Sequence, residues 1–304
     1  MKETGKIWMN GKLVPFKNAK VHVLTHALHY STSIFEGIRC YDTPEGSAIF
    51  RLPEHIDRFF NSAKMYSMKM PYSKKKISDG IVNTVNASKL KQCYIRPLAY
   101  YGYGTMGLTP TNNKVDVSIS CWEWKMGESK AGKFSGAKCK ISKWVRIDSK
   151  SQPMKAKSAE NYSNAALARM EALNAGYDEA IMLNNKGHVA EGSAENIFVV
   201  KNGKITTPPL DADILDGITR DSAIKLLKSN KSKVIEKNLR INDLLKADEI
   251  FMTGTAAEVK SVTRVNKTKI GDGKIGEVTK ELQELFMDTV MGKNKKFRSW
   301  LKFI

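Results

Sequence analysis

Four short segments of the chain carry groups that could act together on a carbonyl compound. They are AKSAENY at 156–162, EGSAENIF at 191–198, LDGITRDS at 215–222 and MTGTAAE at 252–258. The first segment holds Lys157, and an amine adds to a carbonyl carbon only in its deprotonated form. Burial beside other cations lowers a lysine pKa and would supply that form. The second segment holds Glu191, a carboxylate that could keep a ring nitrogen protonated.

Lys155, two residues before Lys157, is a competing nucleophile, and residue types alone leave the choice open. The chain contains 50 lysines and arginines, and a single lysine is most often a solvated surface group. The accompanying segments are therefore needed to indicate a reactive amine.

The third segment offers a potential anion site. Gly217, Ile218 and Thr219 precede a predicted helix, and backbone N–H groups at a helix start bind anions. A glycine before a helix is also an ordinary junction between a loop and a helix. The segment therefore indicates an anion site only in combination with the others.

The order and intervals of these segments resemble those of the class IV (fold type IV) pyridoxal phosphate aminotransferases. Within that class, three further segments are similar to the branched-chain amino acid aminotransferases: HALHYSTSIFEGIR at 26–39, EHIDR at 54–58 and YIRPLAYYGYGTMGL at 94–108. The resemblance covers nearly the whole chain. It implies a two-domain α/β (α+β) fold, with a small N-terminal domain, a larger C-terminal domain and a cofactor cleft between them.

The resemblance also implies a role for each residue around a pyridoxal 5'-phosphate cofactor. Lys157 would form the Schiff base and then carry the proton of the substrate Cα, and Asn161 and Tyr162 select it over Lys155. Glu191 would hold the proton of the pyridine nitrogen, so that the ring can act as an electron sink. Tyr162 would donate to the phenolic oxygen of the cofactor. No metal is expected.

Five more residues complete the implied cofactor site. Arg58 would pair with the phosphate, Thr255 would donate a hydroxyl to it, and Leu215 would pack on the ring. The backbone N–H groups of Ile218 and Thr219 would also bind the phosphate. Glu195 is interpreted as a support group.

The implied substrate site has to accept an aliphatic side chain in one half-reaction and the glutamate carboxylate in the other. The backbone at Thr255 and Ala256, together with Tyr94, would bind the α-carboxylate. The distant carboxylate would meet Arg96, assisted by Tyr30, while Phe35 and Leu108 would form an apolar wall. In relatives, Tyr30 and the loop bearing Leu108 come from a neighbouring subunit. A homodimer or a higher assembly is therefore expected.

These roles predict an enzyme that moves amino groups between leucine, isoleucine or valine and 2-oxoglutarate by a ping-pong mechanism. The alternatives within the class are a D-amino acid aminotransferase, an amine transaminase and an aminodeoxychorismate lyase. Three departures from the family pattern bear on the site. Glu160 stands where many relatives have glycine, Asp216 replaces a common proline, and WKMGES lacks the linker tyrosine that often contacts substrate.

The elements that position these groups can be read from the sequence pattern. A hairpin is predicted at IWMNGKLVPF, where Asn10 and Gly11 suit the positive φ values of a tight turn. Residues 54–68 have helical spacing, with Pro53 near the start and Arg58 on the first turns. Two strands are predicted in QCYIRPLAYYGYG and VDVSISCWEW, which are rich in β-branched and aromatic residues.

The polar stretch KMGESKAGK at 125–133 is predicted to be an interdomain linker. It would separate a small N-terminal α/β domain at 1–124 from a large C-terminal cofactor-binding domain at 134–304. In the second domain the pattern predicts a helix at 161–175 ended by Gly176, strands at 179–183 and 196–200 joined by a turn at 184–187, and helices at 221–227 and 278–290.

Composition limits the class and surroundings of the protein. A net charge of +19 is interpreted as a solvated lysine-rich surface, with a basic nucleic-acid-binding protein on a degenerate scaffold as the remote alternative. The partners are expected to be amino acids, 2-oxo acids and a second copy of the chain, with no nucleic acid or membrane. The four cysteines are dispersed along the sequence, and the first residues lack the apolar segment of a signal peptide. Both features predict a cytoplasmic protein.

Overall fold

The structure is a computed structural model that describes residues 5–110, 112–124 and 136–304. The predicted linker at 125–133 lies outside the described residues. The elements of the first part of the chain are β1 (Lys6–Met9), β2 (Lys12–Pro15), α1 (His26–Tyr30), β3 (Ser33–Phe35), β4 (Ile38–Thr43), β5 (Gly46–Phe50), α2 (Leu52–Met65), α3 (Lys74–Ser88), β6 (Cys93–Tyr101) and β7 (Val115–Glu123).

The remaining elements follow the second undescribed gap. They are β8 (Ala137–Ile141), α4 (Ala159–Asn174), β9 (Glu179–Leu183), β10 (Val189–Gly192), β11 (Asn196–Lys201), β12 (Lys204–Thr207), α5 (Ile218–Ser229), β13 (Val234–Glu236), α6 (Ile241–Leu245), β14 (Glu249–Gly254), β15 (Glu258–Val265), β16 (Thr268–Lys269), α7 (Glu277–Val290) and β17 (Leu301–Phe303). No helix in the described ranges is long and apolar enough to cross a membrane.

The chain divides into two compact units. The first consists of Met1–Lys125, Ala156–Glu160 and Thr289–Ile304, and the second of Met126–Lys155 and Asn161–Asp288. The sequence pattern assigned 156–160 and 289–304 to the C-terminal domain, so the units differ from that division. Pairing over long sequence distances accounts for the difference, because Ser158 forms a bridge with Ile34 and β17 pairs with β5.

In the first unit, eight strands of the described residues form one sheet in the order β17-β5-β4-β6-β7-β1-β2, with β3 also paired to β6. Successive side chains of a strand point to opposite faces. Cys93 and Ile95 of β6 therefore join the buried core with α2 and α3, as do Phe59 and Ile81. The alternate residues of β6, including Tyr94 and Arg96, lie on the other face. The predicted hairpin is confirmed, since β1 pairs with β2 around Asn10 and Gly11 at φ 48° and 94°.

The two longer helices of the first unit follow from local signals. Pro53 lies in the first turn of α2, as predicted, but the helix ends at Met65 because Ser67 adopts a positive φ of 52°. The hydroxyl of Ser73 accepts from the N–H of Lys76 and caps α3. The pattern analysis did not identify α3, whose lysine-rich first turn precedes its buried residues.

In the second unit, nine strands within the described ranges form a mixed sheet in the order β10-β9-β8-β15-β14-β11-β12-β13, with β16 on β15. The two predicted strands and the helices at α4, α5 and α7 are present. The turn at 184–187 was predicted to join the strands at 179–183 and 196–200, and this connection was wrong. It joins β9 to β10, whereas β11 pairs with β12 and β14. The short strand β10, which ends in glycine, lacked a strong strand pattern.

Candidate active site

Lys157 is buried in the first unit. Its backbone N–H donates to Oγ of Ser62 at 2.9 Å, and its carbonyl accepts from the N–H of Phe35 at 2.9 Å. Its Nζ lies 5.0 Å from the centre of the Phe35 ring. The competing Lys155 is exposed. Both ends of the Lys157 backbone are therefore fixed while its amine faces an apolar ring.

The surroundings of Lys157 lower its pKa. Burial is the largest cause, the nearby charge of Arg58 adds to it, and Glu36 and Tyr94 oppose it, giving a pKa of about 8. A lysine of ordinary pKa 10.5 would be almost wholly protonated at neutral pH. The lowered pKa therefore gives Lys157 a larger fraction of the neutral amine, the form needed for attack on a carbonyl, than an ordinary lysine has.

Arg58 is fixed by a buried carboxylate that the sequence analysis did not single out. Glu36 is fully buried and accepts from Nε of Arg58 at 2.6 Å and from Nη2 at 2.9 Å. Nδ1 of His55 lies 2.7 Å from the same carboxylate. Burial would raise the pKa of Glu36, but Arg58 and His55 together hold it far below its usual range. The position of Glu36 in the EGIR segment is the one sequence signal that could have indicated it.

Three predicted substrate residues of the first unit, Phe35, Tyr94 and Arg96, lie close together at the face of β6 opposite the core. The guanidinium carbon of Arg96 lies 4.6 Å from the Phe35 ring centre and 5.4 Å from that of Tyr94. Trp122, which was not predicted, stacks on Tyr94 at 5.0 Å and lies 5.6 Å from the guanidinium of Arg96. Nε of Arg96 is buried without a hydrogen-bond partner among the described residues. Aromatic rings thus surround the Arg96 guanidinium, which suits the binding of an anionic group.

Tyr30 and Leu108 lie elsewhere on the first unit. The Tyr30 hydroxyl donates to the carbonyl of Met106 at 3.1 Å, and its ring packs on His26 at 4.6 Å. His26 in turn contacts the carbonyl of Gly107 at 2.9 Å through Nε2. Leu108 is 78% exposed. The loop is therefore held in place while its apolar tip points away from the rest of its own unit.

Glu160, the departure next to Lys157, is bound by a tyrosine that follows α2. The Tyr66 hydroxyl lies 2.9 Å from Oγ of Ser158 and donates to Oε2 of Glu160 at 3.2 Å. Burial raises the pKa of Tyr66, so the hydroxyl keeps its proton for this bond. The predicted absence of a linker tyrosine in WKMGES concerns residues that mostly lie outside the described ones.

The second unit holds Glu191 in a buried polar cage. Its Oε1 lies 2.9 Å from Nη2 of Arg146, while Oε2 accepts from Nδ2 of Asn196 at 3.1 Å and from the N–H of Leu215 at 3.2 Å. Arg146 and Asn196 were not predicted. Asn196 belongs to the EGSAENIF segment, but neither its spacing nor that of Arg146 revealed the contact.

The predicted anion site is the start of α5. Gly217 is the residue before the helix, and Ile218 and Thr219 form its first turn. A Cβ at Gly217 would lie 1.9 Å from Oδ1 of Asn196, so only glycine fits there. Asn196 therefore connects this helix start with Glu191. Asp216 is exposed, so its replacement of proline leaves these backbone donors in place.

The other predicted residues of the second unit lie near element ends. Tyr162 is half-buried in the first turn of α4. Thr255 and Ala256 lie between β14 and β15, so this segment is a turn between two strands. Glu195 precedes β11 and accepts from the N–H of Ala194 at 3.1 Å.

The chain is similar to known proteins over most of its length. A model of the family "Amino-transferase class IV" matches residues 33–265. The chain is 43% identical to a branched-chain-amino-acid aminotransferase of Pseudomonas aeruginosa over 97% of this chain and 96% of that one. It is 39% identical to that of Escherichia coli K12 over 99% and 97%.

Solved structures are similar over the same extent. The branched-chain amino acid aminotransferase of T.th., complexed with N-(5'-phosphopyridoxyl)-L-glutamate, has a TM-score of 0.96 and 43% identity over 100% of this chain and 99% of that one. The Escherichia coli enzyme has a TM-score of 0.96 and 39% identity over 98% and 99%. The chain belongs to the class IV aminotransferase family.

Proposed function

We propose that the protein is a branched-chain L-amino acid aminotransferase that uses pyridoxal 5'-phosphate. It would exchange amino groups between leucine, isoleucine or valine and 2-oxoglutarate in two half-reactions. The observation that carries the proposal is the buried Lys157 amine, whose pKa of about 8 suits attack on an aldehyde. Relatives named for this activity support it, as do structures of the T.th. enzyme with pyridoxamine 5'-phosphate and with phosphopyridoxyl-glutamate.

The donor groups fit the three parts of this cofactor. Lys157 offers an amine for the aldehyde, and Glu191 offers a buried carboxylate for the ring nitrogen. The start of α5 offers backbone N–H groups for the phosphate, next to a glycine that cannot be replaced without a collision. Arg58 and Thr255 would add a charge and a hydroxyl. When bound, the cofactor supplies a ring that stabilises negative charge at the substrate Cα.

The residues of the chain would then move and hold protons. Lys157 would take the proton from the substrate Cα and deliver it to the cofactor carbon, since its amine is neutral part of the time. Glu191 would hold the proton of the ring nitrogen, and Tyr162 would donate to the phenolic oxygen while Leu215 packs on the ring. The backbone at Thr255 and Ala256, with Tyr94, would orient the α-carboxylate.

Arg96 would allow the site to accept both an acidic and an aliphatic substrate side chain. Its guanidinium could bind the distant carboxylate of glutamate, because its buried Nε needs an acceptor. An aliphatic side chain could lie against Phe35 and the neighbouring aromatic rings. Both kinds of substrate would thus use one pocket, with Tyr30 and Leu108 completing it.

The active form is proposed to be at least a homodimer in which Tyr30 and Leu108 serve the partner's site. The support is an exposed apolar cluster on one unit, in which Val23, Leu28, Tyr103 and Leu108 are each more than 60% exposed. Sedimentation of the protein should give a dimer or a multiple of it. Leu108→Asp should weaken assembly, and Leu108→Met should not. A monomer with full activity would contradict this.

The cytoplasm is proposed as the compartment because all four cysteines are buried thiols. Fractionation of cells that express the tagged protein tests this proposal.

A substrate assay tests the proposed reaction. L-leucine, L-valine and D-alanine are each supplied with 2-oxoglutarate, and glutamate is measured. Turnover of both L-amino acids is expected. Turnover of D-alanine alone would instead favour a D-amino acid aminotransferase.

A further inference from the structure

Arg146 is a buried arginine of the second unit with two different partners. Nη2 lies 2.9 Å from Oε1 of Glu191, and Nη1 donates to the carbonyl of Asn161 at 3.2 Å. The backbone N–H of Arg146 donates to the carbonyl of Leu183 at 2.8 Å. One side chain, anchored to the end of β9, therefore contacts both the Glu191 carboxylate and the start of α4.

The burial of Arg146 carries a cost. Its side chain is only 5% exposed, and its Nε has no hydrogen-bond partner among the described residues. An unsatisfied buried donor is unfavourable, and a buried ion pair is often no more stable than apolar residues of similar volume. Stability alone is therefore a poor reason for an arginine at this position.

The contacts of Glu191 suggest what the arginine does. Asn196 and the N–H of Leu215 bind Oε2, whereas Arg146 binds Oε1. Partners on both oxygens fix the plane of the carboxylate. The positive charge also keeps the carboxylate ionised while it is buried. An ionised acceptor in a fixed plane is what a protonated ring nitrogen requires.

The second contact of Arg146 reaches the start of α4. The Asn161 carbonyl belongs to the residue before Tyr162, the proposed partner of the phenolic oxygen. The same guanidinium thus contacts the proposed partner of the ring nitrogen and the backbone next to the proposed partner of the phenolic oxygen.

We propose that Arg146 is a positioning residue, which holds Glu191 in the orientation that binds the pyridine nitrogen of the cofactor. This inference rests on the proposed role of Glu191. Arg146 itself does not touch the cofactor in this proposal and acts through the carboxylate.

The test compares two cofactors that differ in one ring atom. Full-length apoprotein is titrated with pyridoxal 5'-phosphate and with its 1-deaza analogue, in which carbon replaces the ring nitrogen. The absorbance of the lysine-bound form gives each dissociation constant. The wild type should bind the natural cofactor at least about tenfold more tightly, since a hydrogen bond to a charged group is lost in the analogue. Arg146→Gln should reduce this preference to about threefold or less.

Two further variants serve as controls. Arg169→Gln removes another arginine of the same unit that pairs with a buried glutamate, Glu179, and should keep the wild-type preference. Arg146→Lys should restore part of the preference, and it replaces Arg146→Gln if that variant does not fold. In a Glu191→Gln background, Arg146→Gln should change the preference no further.

The failures of the two proposals are distinguishable. If Arg146→Gln weakens binding of both cofactors equally, the arginine is only structural and the inference is overturned. If the wild type binds both cofactors equally, the role of Glu191 is wrong and the inference falls with it. If Arg169→Gln also reduces the preference for the natural cofactor over the analogue, the inference is likewise overturned, because the effect would not be specific to Arg146.

Discussion

Glu36 binds Arg58 through both carboxylate oxygens, at 2.6 Å from Nε and 2.9 Å from Nη2. The pair fixes the plane of the guanidinium beside Lys157, whose pKa Arg58 helps to lower. A fully buried carboxylate thus orients the cation proposed to bind the cofactor phosphate.

Glu36→Gln should destabilise the protein by about 3 kcal/mol at pH 7, because it removes the buried charge to which Arg58 and His55 are bound. Urea unfolding measures this. The control is Glu45→Gln, which breaks an exposed pair with Arg298 and should have a much smaller effect. Equal effects of the two substitutions would contradict the structural role of Glu36.

The stabilisation by Glu36 should depend on pH in one direction. Its pKa in the folded protein lies below its ordinary value of 4.5. The stabilising contribution of ionised Glu36 is therefore complete above about pH 4.5 and is lost as the pH falls through the folded-state pKa. The difference in unfolding free energy between the wild type and Glu36→Gln should stay constant from pH 7 to about pH 5 and shrink below it. A difference that grew toward acid pH would refute this assignment.

The rate of cofactor attachment should report the pKa of Lys157. Apoprotein mixed with pyridoxal 5'-phosphate should react faster as the pH rises and level off above a pKa of about 8, since only the neutral amine attacks. Arg96→Met should move the inflection upward, because Arg96 is one of the charges that lower this pKa. An inflection near the ordinary lysine pKa of 10.5 would show that the amine is solvated.

Borohydride should fix the cofactor to Lys157. Peptide mapping by mass spectrometry locates the adduct, and Lys157→Ala should lose both the adduct and turnover. Lys155→Ala is the matched control, because Lys155 is exposed, and it should keep both. An adduct on Lys155 would refute the assignment.

Arg96→Gln should separate the two half-reactions. The reaction with glutamate should slow by about 100-fold in kcat/KM, whereas that with leucine should change by less than about tenfold. Single-turnover absorbance with each amino acid measures both, so leucine serves as the control within one variant. Equal losses of kcat/KM with glutamate and with leucine would mean that Arg96 supports the pocket without binding the distant carboxylate.

Local signals in the sequence were sufficient for several elements. Asn10 and Gly11 specify their turn through their own backbone preferences, and Gly217 lies directly before α5, although the helix begins at Ile218 and not at 221 as predicted. Lys157 was chosen over Lys155 from the motif around it, and the burial of Lys157 supports that choice. In each case, the information lies within a few residues.

Other features depend on contacts that sequence spacing does not encode. Arg146 lies between Val145 and Ile147 with no motif, and its relation to Glu191 arises only when β9 and β10 are placed. Residues 156–160 group with the first unit because Ser158 pairs with Ile34. The strand that follows the 184–187 turn was predicted wrongly because β10 is short and was not recognised. Such features follow from tertiary pairing, which local propensity does not determine.

The alternation of β6 limits how this protein can change. Tyr94 and Arg96 face the pocket while Cys93 and Ile95 face the core. A single inserted or deleted residue would exchange the two sets and place a guanidinium in the core. New substrate preferences can therefore arise by replacing pocket residues one at a time, whereas the length of this strand must be inherited unchanged.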